Sequence, residues 1–219
     1  TTLFRFDKDW INNWKEYFHQ FYVDDILITP SWEPVKSKDQ GKLLIQIDPG
    51  TALGTGMHET TQLCIRQIRK YVTEETVLLD VGTGSGILSI AALKLGAKRA
   101  LGTDLDPCAI SASKENMEVN GIPSEKFQVL EGNIIDNRKI QEQAGCEQYD
   151  MVTANILAEV LVPLTPVIVQ HLKKGGIYIT SGIIEEKETV VKDAVQAAGL
   201  EVLEVTHQGD WVSVTARKN

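Results

Sequence analysis

The sequence has no apolar run approaching the ~20 residues a membrane-spanning helix needs; its longest runs are a few residues. No secretory signal is visible. Its three cysteines, Cys64, Cys108 and Cys146, are scattered and lack CxxC spacing. That argues against a disulfide framework or a zinc site and favours reduced thiols in the cytoplasm. No metal is expected. Positive charge is also scarce: residues 1–47 carry six basic against seven acidic side chains, and residues 48–219 sixteen against twenty-three, for a net charge of −8. A balance this acidic does not offer a nucleic-acid groove, so no direct nucleic-acid binding is expected. It either attracts a basic partner or serves solubility alone. An initiating Met is missing too, so a processed or trimmed fragment is expected.

What is present fits one sizeable domain with an appendage: 219 residues, 42% hydrophobic and 24% charged. Residues 7–21, "DKDWINNWKEYFHQF", place Trp10, Ile11, Trp14, Tyr17, Phe18 and Phe21 at helical spacing behind Asp7 as N-cap. This predicts an amphipathic helix whose aromatic face docks on the main domain. "DDILITPSW" and "KLLIQID" predict two short strands, read as a hairpin around a polar connection. From residue 48 the pattern changes. A Gly-rich loop, "DPGTALGTGMHETT", enters a helix near Glu59, and strand and helix patterns then alternate to the end. This predicts an α/β fold with a doubly wound, Rossmann-like, mostly parallel sheet. "LEVLEVTHQ" and "WVSVTARK" close it as an antiparallel pair.

The strongest local signal is "VLLDVGTGSGILSIAAL", residues 77–93. A buried-type strand ends in three alternate glycines, Gly82, Gly84 and Gly86, and a helix follows. Glycines there permit a tight turn and close approach of a ligand to the backbone. The dinucleotide fingerprint G-x-G-x-x-G would want its third glycine where Ile87 stands, which weakens a NAD reading. No G-x-x-x-x-G-K-[ST] follows a strand, so a P-loop is excluded. Asp104 ends the next strand, 22 residues after Gly82, where a carboxylate can accept hydrogen bonds from two ribose hydroxyls.

Loop and acid together resemble class I S-adenosylmethionine-dependent methyltransferases. Asp80-Val81-Gly82-Thr83-Gly84-Ser85-Gly86 looks like their first motif, which implies that Asp80, Gly82, Gly84 and Gly86 bind the cofactor; Asp104 matches their ribose-binding acid, and Leu105 would lie beside the adenine. Glu131-Gly132-Asn133 matches their adenine-edge segment, and residues 200–217 their terminal strand pair. The resemblance implies a seven-stranded sheet, S-adenosylmethionine as cofactor and S-adenosylhomocysteine as product. At the end of the fourth core strand stands Asn155-Ile156-Leu157-Ala158, in the place of the N-P-P-Y-type motif of amine-directed methyltransferases. The amide oxygen of Asn155 can hold an amine in line with a transferable methyl, which makes Asn155 the candidate catalytic residue. His58 and Glu59 either assist proton removal or order the entry loop. His19, His171 and His207 are read as structural.

G-T-G-x-H-x-T-T ahead of this core, with N-I-L-A after the fourth strand, resembles the PrmA family. That family trimethylates amino groups of large-subunit ribosomal protein eleven. By this resemblance Thr61, Gly82, Asp104 and Asn155 contact the cofactor, while Gly56 and His58 cover its methionine end. The resemblance further implies that residues 1–47 are a linker and 48–219 the methyltransferase domain. A front domain that recognises the ribosomal protein is expected to be lacking. Two other readings stay open: another acceptor amine (small molecule, protein or nucleic-acid base), or a non-catalytic nucleotide-binding module.

Overall fold

The computed structural model describes residues 18–48 and 57–219, with side chains in the second segment from residue 59. The predicted aromatic helix falls almost wholly outside the described residues. Phe21, assigned to its end, lies instead in strand β1 (Phe21–Val23).

Two sheets form the fold. The small one has the order β1-β2-β3, with β2 at Ile26–Thr29 and β3 at Leu43–Gln46. Here the expected hairpin is corrected. β2 pairs with β3 in parallel, and the hairpin partner of β2 is β1. The tight turn at Asp24-Asp25 explains it: Asp24 takes φ 54, a left-handed conformation that aspartate tolerates, and reverses the chain at once. Residues 30–42 then cross back through a single 3₁₀ turn, Ser37–Asp39, so β3 starts from the same end as β2.

The large sheet has seven strands in the order β6-β5-β4-β7-β8-β10-β9. These are β4 (Val77–Val81), β5 (Arg99–Asp104), β6 (Phe127–Glu131), β7 (Tyr149–Asn155), β8 (Leu172–Ile184), β9 (Glu201–Gln208) and β10 (Trp211–Arg217). All pair in parallel except β10, which is antiparallel to both β8 and β9, as predicted. Every residue of β4 is buried, as a central strand covered on both faces requires. Its side chains alternate between two apolar clusters. Val77, Leu79 and Val81 join α4 (Arg138–Ala144), α5 (Ala158–Ile168) and α6 (Glu188–Ala197). Leu78 joins α1 (Met57–Tyr71), α2 (Ile87–Lys94), Met117 of α3 (Pro107–Val119) and Val23, Ile26, Ile28 and Ile45 of the small sheet.

Helix α4 is missing from the sequence reading. It is seven residues long and buries only Ile140 and Ala144, too little periodicity to register. Its local signals are Asn137, whose side chain caps the Ile140 N–H at 3.3 Å, and Gly145 at its carboxyl end. The predicted α5 forms despite Pro163 and Pro166 in its interior. Leu161, Leu164 and Ile168 are fully buried on one face, and that packing outweighs the lost backbone bonds.

Strand order reverses between β4 and β7. Beyond the carboxyl ends of this pair an open α/β sheet has its ligand crevice.

Candidate active site

The loop after β4 is shaped by its glycines and held by its neighbours. Gly82, Gly84 and Gly86 all take positive φ, at 69°, 56° and 84°. At Gly82 a Cβ would stand 2.7 Å from Ile156 Cγ2, so the loop lies directly against the residue after Asn155. The Gly82 and Thr83 N–H groups both donate to the Thr103 carbonyl, at 2.9 and 3.0 Å. From the other side, α3 grips the loop: Ser113 Oγ donates to the Gly84 carbonyl at 2.7 Å and Asn116 Nδ2 to the Ser85 carbonyl at 2.8 Å. Asn116 also exchanges hydrogen bonds with the Asp48 backbone, at 2.9 and 3.0 Å. One turn on, Asn120 does the same with Gln46, at 2.7 and 3.0 Å. These two asparagines mimic a strand edge for residues 46–48, which lead into the Gly-rich entry loop. Sequence reading missed Ser113, Asn116 and Asn120. The available signal was a line of polar residues at i, i+3 and i+7 on a helix that must bury that face.

Asp104 stands where it was expected, at the carboxyl end of β5, half-buried. Its Oδ2 accepts the Gly84 N–H at 2.9 Å and its Oδ1 the Asp106 N–H at 3.0 Å. Each oxygen retains a lone pair, enough for a vicinal diol. Beside it Leu105 is 65% exposed, an apolar side chain at the rim. Asn133 follows β6; its Oδ1 accepts the Ile135 N–H at 3.0 Å and shapes the turn next to Asp104, whose carbonyl accepts the Gly132 N–H at 2.8 Å.

Asn155 closes β7, half-buried, and pairs in register with Ser181 of β8. Its Nδ2 donates to Thr60 Oγ1 at 3.2 Å, which fixes the amide plane. Among the described residues nothing donates to its Oδ1. The α1 residue on Asn155 is Thr60; Thr61, expected to contact the cofactor, is the next residue of the helix and is buried. The next turn presents Leu157, 59% exposed, at the start of α5. Gly56 lies outside the described residues, and so does the side chain of His58, which belongs to the first turn of α1.

Asp80 does not face the crevice. It is 1% exposed, and its carboxylate accepts hydrogen bonds from Thr83, Ser89 and Thr153 at 2.8–3.0 Å. Burial, with a smaller push from the Asp104 charge, raises its pKa to about 6 despite those donors. The other histidines hold loops and surfaces. His171 Nδ1 meets the Gly145 carbonyl at 2.7 Å, His19 meets Glu33 at 2.7 Å, and His207 meets Glu188 at 2.5 Å.

A separate cavity of about 500 Å³ opens among Arg99, Gln128 and Tyr149, at the amino-terminal ends of the strands, away from this crevice. Among the described residues no helix is long and apolar enough to cross a membrane, and no cluster of three His, Cys, Asp or Glu side chains could hold a metal.

The ligand-side geometry suits a nucleoside with no pyrophosphate: a carboxylate for a diol, an apolar rim residue for a base, and a loop whose amides are largely committed within the protein. Comparison with known proteins agrees. The chain is 55% identical over 215 residues to a ribosomal protein L11 methyltransferase of Agathobacter rectalis, and 54% identical over 213 residues to one of Lachnospira eligens. Each alignment covers 97% of this chain and 67% of the relative, so the chain spans about two thirds of their length. The solved structure of a ribosomal protein L11 methylase from Lactobacillus delbrueckii subsp. bulgaricus superposes with a TM-score of 0.80 at 32% identity, covering 92% of this chain and all of that one. The sheet order and the glycine loop are those of a class I methyltransferase. Residues 4–219 match the family model described as ribosomal protein L11 methyltransferase, so the chain belongs to the PrmA family.

Proposed function

We propose that this chain transfers methyl groups from S-adenosylmethionine to amino groups of ribosomal protein L11, on lysine side chains and the N-terminal amine. S-adenosylhomocysteine is the product. One juxtaposition carries the reading. Asp104, bound to the Gly84 N–H at the tip of the glycine loop, and Asn155, bound to Thr60, flank the switch point between β4 and β7.

Asp104 would accept the two ribose hydroxyls, Leu105 would cover a face of the adenine, and Asn133 would border its edge. Gly82, Gly84 and Gly86 would let the methionine portion approach the backbone, with Thr61, Gly56 and His58 on its other side. When bound, the cofactor supplies an electrophilic methyl on a sulfonium. The protein's task is then to present a neutral amine in line with it. For a free lysine at pH 7, losing the proton costs ~4–5 kcal/mol. Asn155 Oδ1 accepts an N–H of the amine and so orients the nitrogen lone pair, and Thr60 keeps the amide from rotating. Orientation of this kind is the main catalytic device for a transfer needing no covalent intermediate.

In this reading residues 1–47 link the catalytic domain, 48–219, to whatever recognises the ribosomal protein. The unpaired thiols of Cys64, Cys108 and Cys146 support a cytoplasmic location, and the net charge of −8 supports a basic protein over nucleic acid as partner. The test is transfer of radiolabelled methyl from S-adenosylmethionine to L11, with the modified amines mapped by mass spectrometry. Label in L11 that disappears with Asn155→Ala is expected. Label confined to other proteins or to RNA would reassign the acceptor.

A further inference from the structure

The cofactor loop and the strand carrying Asn155 meet at one buried side chain. Asp80 Oδ2 accepts hydrogen bonds from Thr83 Oγ1 at 2.8 Å and Ser89 Oγ at 3.0 Å, and Oδ1 accepts one from Thr153 Oγ1 at 2.9 Å. Thr83 belongs to the glycine loop, Ser89 to α2 and Thr153 to β7, and all three are buried. Thr153 lies directly across the ladder from Asp80 and two residues before Asn155, so its side chain shares the Asn155 face of the strand. Thr83 is wedged as well: a Cβ on Gly102 of β5 would come within 2.9 Å of it.

Sheet pairing alone holds β4 to β7 only as far as Val81. The Thr83 hydroxyl extends that hold into the loop. The device is costly, because among the described residues no cation pairs with Asp80. Its titratable neighbours, Cys64 from α1 and Asp104 from β5, leave its charge uncompensated. A buried carboxylate with only neutral donors is a poor way to stabilise a turn. It is a good way to bind three hydroxyls from three elements at once, since an ionised carboxylate is acceptor-only and has lone pairs enough for all of them.

We propose that Asp80 is a positioning residue, a clasp that locks the cofactor loop and the Asn155 strand into one geometry through Thr83 and Thr153, and that it does not touch the cofactor. The proposal rests on the function read above for the loop and for Asn155. In-line transfer is sensitive to placement, a 1 Å error costing up to ~100-fold in rate.

The test uses Thr153→Val, which removes one hydroxyl from the clasp at nearly constant shape, and Thr153→Ser, which keeps it. Single-turnover methyl transfer at saturating S-adenosylmethionine, cofactor Kd by calorimetry and backbone NMR across pH 5–7 are compared. Thr153→Val should slow transfer about tenfold with Kd within about twofold, and Thr153→Ser should restore it. In the wild type, the amides of Thr83 and of Thr153–Asn155 should titrate with one midpoint, near the value of about 6 that burial imposes on Asp80. In Thr153→Val the β7 amides should drop out of that titration. Unchanged transfer and unchanged titration in Thr153→Val would overturn the clasp. So would an Asp80→Asn variant with Kd raised tenfold or more and transfer at saturation intact, the mark of a direct cofactor contact. Wild type that binds the cofactor but transfers nothing to L11, even at saturating L11 and joined to the recognition region of a relative, would overturn the proposed function instead, and the shared titration would still decide the clasp.

Discussion

Replacing Gly82 by Ala tests the loop where the two halves of the site touch. Gly82 has φ +69°, a left-handed conformation that costs an L-residue about 1–2 kcal/mol. The new Cβ would also sit 2.7 Å from Ile156 Cγ2, when carbon–carbon contacts settle at about 3.5–4.0 Å. Roughly 1 Å must be found, by Ile156 or by the loop. Ile156 is β-branched, so χ1 cannot absorb it freely; an off-rotamer displacement costs about 0.5–1.5 kcal/mol. The sum is a destabilisation of about 1.5–3.5 kcal/mol, a fall in Tm of about 3–14 °C for a chain this size. Gly121→Ala is the control. It shares the positive φ, +67°, but has nothing within 4 Å of the new Cβ, so it should show only the conformational part. Any stabilisation from a stiffer unfolded chain is common to both and cancels. Urea unfolding of the two variants gives the difference, and calorimetry with S-adenosylmethionine shows whether pushing Ile156, the neighbour of Asn155, also weakens binding. If Gly82→Ala is no more destabilising than Gly121→Ala, the loop does not press on Ile156, and the coupling inferred between loop and Asn155 strand fails at its first contact.

Other consequences can be measured directly. Asp104→Ala should weaken S-adenosylmethionine at least tenfold, because the proposed ribose contacts are two charge-assisted hydrogen bonds worth about 1.5–3 kcal/mol each; calorimetry showing an unchanged Kd would remove Asp104 from the ribose. Asn155→Ala should lower kcat more than it raises cofactor Kd if, as proposed, its oxygen acts on the acceptor; the reverse pattern in steady-state kinetics would assign it to the cofactor. Asp80 titrates above its unfolded value of 3.8, at about 6. The fold thus favours its protonated form: its stabilising contribution is complete below pH 3.8 and is lost as pH rises through 6. The displacement is worth about 3 kcal/mol, so the stability of the wild type relative to Asp80→Asn should fall by that order between pH 4 and 7 in urea titrations. A difference flat across that range would show Asp80 to be less buried than it stands here.

Much of the architecture was legible in local pattern. A strand such as "VLLDV", apolar but for one acid, reads as central, alternation of strands and helices imposes parallel pairing, and Gly82, Gly84 and Gly86 meet a backbone requirement that any loop of this shape has. Asp104 and Asn155 were legible for the same reason. Each ends a strand of that sheet, and the end of a strand is a position the sequence encodes. What the sequence by itself did not determine depends on contacts between residues far apart in the chain. The reversal at Asp24, not the polar stretch at 33–41, made the hairpin, because a two-residue turn closes before a longer connection can. Helix α4 buries too few side chains to leave a periodic trace and exists because the sheet offers Ile140 a place. Asn116 and Asn120 read as ordinary helix polar residues until residues 46–48 run past them. Asp80, resembling a ligand-facing acid in its motif, is turned inward because Thr83, Ser89 and Thr153 converge on it from three elements. The sequence names a residue's chemical type and its place along a strand or helix; which groups then surround it, and so whether a carboxylate meets a ligand or a ring of hydroxyls, is decided only when distant segments pack.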